Sequence, residues 1–127
     1  MKVMIVDSSE ESLHTEEIVR SVFEDCVVII VDEILVAKRY IETGIIDLAL
    51  VEIKLKGESG YRIIKMIKTF SPKTNVAVLS NSRFGLDCSL ALALGADDVF
   101  VKSIQPNNSK DLKGYLKRLG SGEHANV

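Results

Sequence analysis

The sequence contains no tryptophan and only 6% aromatic residues, so it has few rings on which a flat cofactor such as a flavin would stack. It has two cysteines, Cys26 and Cys88, too few for a disulfide framework. Both lie inside apolar segments and read as core thiols in a reducing compartment. No stretch approaches the roughly 18 apolar residues of a membrane helix. The amino-terminal run reaches Asp7 too soon to serve as a signal peptide. A soluble, cytoplasmic protein with no membrane contact is therefore expected. Sixteen basic residues face 18 acidic ones, and no basic stripe stands out, so nucleic-acid binding is not expected.

What is present is an ordinary globular mix, 46% hydrophobic and 27% charged, over 127 residues. That length implies one domain able to bury a sizeable core without metal or disulfide. The domain is expected to span residues 1–119. The small, polar segment 120–127 then reads as a tail or the start of a linker.

Short β-branched runs alternate with helical patterns. Val3–Val6, Val27–Val31, Leu48–Val51, Val76–Leu79 and Val99–Val101 are continuous apolar runs, as expected of strands covered on both faces. Helices are expected over Glu10–Phe23, Leu35–Thr43, Tyr61–Phe70, Leu86–Leu94 and Leu112–Leu119. In the first, Leu13, Ile18 and Val22 stand at helical spacing; in the third, Ile63, Ile64, Ile67 and Phe70 do. Gly44 and Ser71-Pro72 supply stop signals. Five strands alternating with five helices imply right-handed crossovers and a doubly wound parallel sheet. In such sheets, chemistry gathers at the carboxyl ends of the strands. There the sequence places Asp7, Asp32, Glu52, Ser80 and Lys102.

These residues carry a resemblance. Val3-Met4-Ile5-Val6-Asp7, the segment Asp47 to Gly60, Val78-Leu79-Ser80, and Gly95-Ala96-Asp97-Asp98 followed by Val101-Lys102 stand in the order and spacing of bacterial response regulator receiver domains. The chain resembles that CheY-like family over residues 2 to 119. The resemblance implies a single (βα)5 flavodoxin-like fold whose five strands run in the order 2-1-3-4-5. It implies an aspartate at the end of the third strand that accepts a phosphoryl group from a sensor kinase. It also implies two acids after the first strand that hold magnesium. A hydroxyl and a lysine contact the phosphoryl oxygens, and a switch aromatic in the fifth strand signals to the face of helix four, strand five and helix five.

The sequence departs from that pattern at several of these positions. Glu52 stands at the phosphoacceptor position, one methylene too long, which moves the attacking oxygen by on the order of 1 Å. Its carboxylate is then expected to reach toward the phosphoryl space, within range of Lys102; its bland alternative is a rim glutamate in an ordinary ion pair. Ser8 stands where the second acid is usual, so magnesium at Asp7 and Glu52 is expected to be weak at best and no cofactor is expected. Ser8-Ser9-Glu10-Glu11 also has the form of a capping box, with Ser8 as the cap of the first helix. Val99 stands at the switch position. Phe100, one residue on, points to the opposite face and cannot replace it. Lys56 and Ser103 replace frequent prolines, and the Lys102–Ser103 bond is expected to be trans. Asn107-Asn108-Ser109 reads as a turn or a cap. Ser80 and Lys102 keep the hydroxyl and the charge, though either also suits an ordinary strand end.

The expected function is an atypical receiver in two-component phosphorelay signalling. It is a non-enzymatic protein-interaction module that meets a sensor kinase or an output domain. The fourth helix, with Leu86, Leu90, Ala91, Leu92, Ala93 and Leu94, is either buried or half of an interface, which leaves a homodimer possible. The alternatives are a working phosphoacceptor using Glu52 or Asp7, and a flavodoxin-like small-molecule binder. The second alternative is opposed by Asp7, Glu10 and Glu11, which would repel a phosphate beside the Ser8-Ser9 hydroxyls.

Overall fold

A computed structural model describes residues 1–80, 86–101 and 106–121. The elements run β1 (Lys2–Val6), α1 (Glu11–Val22), β2 (Val27–Val31), α2 (Ile34–Glu42), β3 (Leu48–Glu52), β4 (Lys54–Leu55), β5 (Glu58–Ser59), α3 (Tyr61–Phe70), β6 (Asn75–Ser80), α4 (Leu86–Ala93), β7 (Asp98–Val101) and α5 (Pro106–Gly120). Five strands form one parallel sheet in the order β2-β1-β3-β6-β7, which is the expected 2-1-3-4-5 once the small β4–β5 hairpin is set aside.

Two cores cover the two faces of the sheet. Alternation along each strand sends Met4, Val6, Ala49, Val51, Val76 and Val78 to one face, against Ile34, Ala37 and Ile41 of α2, Ile63, Ile64 and Ile67 of α3, and Ala91 of α4. Val3, Ile5, Leu48, Leu50, Ala77, Leu79 and Phe100 go to the other, against Val19 of α1 and Leu112, Tyr115 and Leu116 of α5. Burial on both faces explains why these strands read as unbroken apolar runs. Both thiols, Cys26 and Cys88, are buried and unbridged.

Two acids fix the register at the amino edge of the sheet. Asp47 Oδ2 accepts the Lys2 N–H at 2.7 Å, while Asp47 N–H donates to Lys2 O at 2.9 Å. Asp97 repeats the device between β6 and β7: its Oδ2 accepts the Val76 N–H at 2.7 Å, and its own N–H donates to Val76 O at 2.8 Å. Charge-assisted bonds of this kind are stronger than neutral ones.

The helices depart from the sequence expectations in three places. In α1 the buried stripe is Ser12, Thr15 and Val19, whereas Leu13 is 60% exposed. Small hydroxyl residues let the helix approach the sheet, and Thr15 satisfies its hydroxyl on Glu11 O at 3.2 Å. Phe70, at the end of α3, is also exposed. The fifth helix begins at Pro106, six residues before the expected Leu112, so Asn107-Asn108-Ser109 lie in its first turn rather than in a separate turn. A proline at the first helical position gives up no hydrogen bond. The expected trans bond at Lys102–Ser103 and the segment 122–127 lie outside the described residues.

Tyr115 packs its ring against Phe100, with centroids 5.2 Å apart and planes at 53°. Its hydroxyl is buried and finds no hydrogen-bond partner among the described residues. Burial, and then the charges of Asp97 and Asp98, push the phenol above its ordinary range. The unfolded chain ionises near pH 10 while the folded chain resists, so stability should fall as pH rises past about 10. Tyr115→Phe is expected to leave stability at neutral pH unchanged or slightly higher and to remove that alkaline decline. Urea titrations at pH 7 and above pH 10 would measure both effects.

Candidate functional site

The carboxyl edge of the sheet is built from the ends of β1, β3 and β6. Val6 of β1 pairs with Val51 of β3, and the next residues on those neighbouring strands are Asp7 and Glu52. Ser80 closes β6, in register with Val101 of β7. All three are buried, Asp7 at 2%, Ser80 at 7% and Glu52 at 9% exposure. Lys102, and with it the expected pairing with Glu52, lies outside the described residues.

Asp7 is fixed by the fold on one side and by the following turn on the other. Its N–H donates to Val31 O at 2.9 Å, which extends the β1–β2 ladder by one rung. Its Oδ1 accepts from both the N–H and the hydroxyl of Ser9, each at 2.8 Å. The Ser9 hydroxyl in turn accepts the Glu11 N–H at 3.3 Å. An aspartate that captures the backbone two residues on is a familiar turn device. It overrides the expected capping box. Ser8 does not cap α1: the residue before the helix is Glu10, without a side-chain cap bond, and Ser9 receives the first helical N–H instead. The competing acceptor was Asp7, which draws the turn toward itself and delays the helix to Glu11.

Glu52 is held more tightly still. It is the last residue of β3 and pairs with Leu79 of β6. The chain then makes the β4–β5 hairpin, turning through Lys56-Gly57 with Gly57 at φ 66°. That is the left-handed position for which glycine is the default. The hairpin returns to Gly60, whose N–H donates to Ile53 O at 2.7 Å. A Cβ on Gly60 would lie 2.1 Å from the carbonyl oxygen of Glu52 and 3.1 Å from Ile53 Cα. The backbone of Glu52 is thus laddered to β6 and closely approached by the backbone of Gly60.

The hairpin also serves α2. Glu58 Oε2 accepts the Ile34 N–H at 3.2 Å, supplying an acid to a helix start that has no side-chain cap of its own. Ser59 does the same for α3 through Tyr61 N–H at 3.3 Å. Nothing local in the sequence points from Glu58 to Ile34, because the partners are 24 residues apart. Gly60 was visible only as a glycine in the loop, and Ser9 was masked by the adjacent Ser8.

Val99 is half-buried on the α2–α3–α4 face, whereas Phe100 is buried on the α1–α5 face against Tyr115. The two faces are separated by the sheet itself. An aromatic switch on the Val99 side is therefore not supplied by Phe100.

The fold family implies a divalent ion at this edge, and the residues fit one poorly. Asp7 and Glu52 are the only carboxylates that β1 and β3 bring here, and Asp7 Oδ1 already serves two donors from Ser9. Ser8, half-buried beside them, adds no charge. Among the described residues no group of three or more His, Cys, Asp and Glu side chains is placed to hold a metal. Magnesium favours carboxylate oxygen in strict octahedral geometry.

The comparisons with known proteins agree with this architecture. The family model of the response regulator receiver domain matches residues 3–112, and the chain belongs to that family. No curated protein sequence matches it. Among solved structures, it is similar to the signal receiver domain of a DNA-binding response regulator from Colwellia psychrerythraea, with TM-score 0.83, 18% identity, and 95% of this chain and 98% of that one covered. A response regulator receiver domain from Rhodospirillum rubrum gives TM-score 0.81 at 16% identity, covering 98% and 96%. The receiver domain of a Pseudomonas aeruginosa sensor histidine kinase, which has magnesium coordinated in its active site cleft, gives TM-score 0.77 at 20% identity, covering 92% and 94%. At these identities the likeness shows the fold. No helix among the described residues is long and apolar enough to cross a membrane.

Gly60→Ala tests the packing beneath Glu52. Overpacking of this kind is expected to destabilise the domain by about 1–3 kcal/mol, with amide shifts concentrated at Glu52 and Ile53. Chemical denaturation combined with amide NMR would report both effects, whereas an unchanged midpoint would show that the loop yields.

Proposed function

We propose that this chain is an atypical receiver: a module of two-component phosphorelay signalling that works through protein contacts without aspartyl phosphorylation. The observation that carries this reading is the position of Glu52. It fills the place of the family's phosphoacceptor aspartate, and its backbone is laddered to β6 and closely approached by Gly60. The extra methylene therefore has no room to be absorbed by retreat of the strand. Its carboxylate projects on the order of 1 Å beyond where an aspartate oxygen would attack, a misplacement that can cost about a hundredfold in rate.

The surroundings support the same reading. Ser8 leaves the metal site one charge short, so magnesium at Asp7 and Glu52 is weak at best. The small Val99 replaces a ring that would move with Ser80. A carboxylate carries one negative charge where a phosphoryl group carries about -1.5 to -2, so Glu52 is a poor copy of the phosphorylated state. The domain is a binding module rather than an enzyme. Its partners are a sensor kinase or an output domain, met through α4, β7 and α5. Leu90 and Leu92 are exposed at the two margins of the outer face of α4, with Ser89 and Ala93 between them, while Cys88 and Ala91 are buried.

Beryllofluoride with magnesium tests the proposal directly. Fluorine NMR is expected to show no tight complex, and acetyl phosphate is expected to label Glu52 on few molecules. Glu52→Asp alone should bring labelling to no more than about a tenth of stoichiometric, because Ser8 still weakens the magnesium site. Stoichiometric acylphosphate on the unaltered chain would overturn the proposal, and full labelling of Glu52→Asp would overturn the role given to Ser8.

A further inference from the structure

The sheet has an open edge at β2. β2 is one of its two outer strands and pairs only with β1 among the described residues. Val27 N–H donates to Met1 O, and Val31 O accepts the Asp7 N–H, so the odd residues of the strand turn their backbone toward β1. Val28 and Ile30 therefore turn their N–H and C=O groups outward, away from the sheet. The strand is Val-Val-Ile-Ile-Val, without a charge, proline or glycine, and Val27 and Ile30 are 57% and 37% exposed. Natural sheets usually blunt such an edge with lysine, proline or a bulge, because it is a template for another strand.

The guard here lies at the ends of the strand. Glu24 and Asp25 precede it, Asp32 and Glu33 follow it, and all four are exposed. Arg20, near the start of the strand, is engaged by Glu16 at 2.8 Å and reaches Cys26 O at 3.4 Å. Two copies of β2 placed side by side would set acids against acids in either direction. In the antiparallel arrangement Glu24 and Asp25 meet the other copy's Asp32 and Glu33; in the parallel one each pair meets itself. Like charges across a strand pair are destabilising, so this edge is built against its own kind. It is complementary to a strand with the opposite flanks.

We infer that the β2 edge is a docking site for an extended protein segment with a β-branched, apolar centre and lysine or arginine at both ends, which adds a sixth strand beside Val28 and Ile30. Main-chain bonds to those two residues supply affinity, and the terminal acids select the partner by charge. This edge is separate from α4, β7 and α5, and the inference does not depend on whether Glu52 accepts a phosphoryl group.

A synthetic peptide with a Val-Thr-Val-Thr-Val centre and two lysines at each end is the probe, added to the whole domain at low salt. Amide NMR is expected to show shifts centred on Val27–Val31, with slowed hydrogen exchange at Val28 and Ile30. The same peptide with glutamates at its ends should not bind. Replacing the acids together (Glu24→Gln, Asp25→Asn, Asp32→Asn, Glu33→Gln) should weaken the basic peptide by about tenfold, the sum of four exposed ion pairs. Ile30→Pro removes one outward N–H at an edge position that tolerates proline, and it should abolish docking while the rest of the spectrum stays folded. Absence of exchange protection at Val28 and Ile30, equal binding of the two peptides, or concentration-dependent shifts at β2 that mark pairing of the domain with itself would each overturn the inference.

Discussion

The contact on which the site depends is that between the backbone of Gly60 and the carbonyl of Glu52. A parallel sheet delivers side chains to its carboxyl edge with little freedom, because the register of each strand is set along its whole length. At the end of β3 the constraint is doubled: the ladder to β6 fixes the strand, and the returning loop approaches the Glu52 carbonyl so closely that no side chain fits between. Under that constraint the chemistry of the position is decided by side-chain length. On the function proposed above, the geometry that would hold an aspartate ready for phosphoryl transfer holds a glutamate too far forward.

Much of the architecture was legible because burial on both faces writes itself as β-branched runs. Val27–Val31 and Tyr61–Phe70 match the observed elements residue for residue. The other sheet strands gain one or two polar ends, among them Lys2, Glu52, Asn75, Ser80 and Asp98, because the ladder continues past the apolar run. The start of α5 was hidden for a related reason. Its first turns, Pro-Asn-Asn-Ser-Lys-Asp, carry no apolar stripe, so periodicity becomes visible only at Leu112. In α1, periodicity was misread: the buried stripe is partly hydroxyl, and Leu13 belongs to the outside.

The residues that surround the site were less legible, since they work across the fold. Ser9 acts through Asp7, Glu58 through a helix start far away in sequence, and Gly60 through a strand it does not belong to. Asp97 could be seen in the sequence within the Gly95–Asp98 segment that carries the resemblance, but its work, stapling β6 to β7, is visible only in the ladder. The acids of this chain thus divide by place. Asp47 and Asp97 secure the amino edge, Asp7 and Glu52 form the carboxyl edge, and the pairs that bracket β2 stand in solvent.

If the proposed function is right, the β3 backbone does not retreat to accommodate a longer acid. The most direct measurement is a pair of high-resolution crystal structures, of the chain as it is and of Glu52→Asp. Superimposable backbones from Leu48 to Gly60 are expected, with the glutamate carboxyl standing on the order of 1 Å further into the cleft than the aspartate carboxyl. A backbone shift that brings the two carboxyl groups to the same place would contradict the proposal.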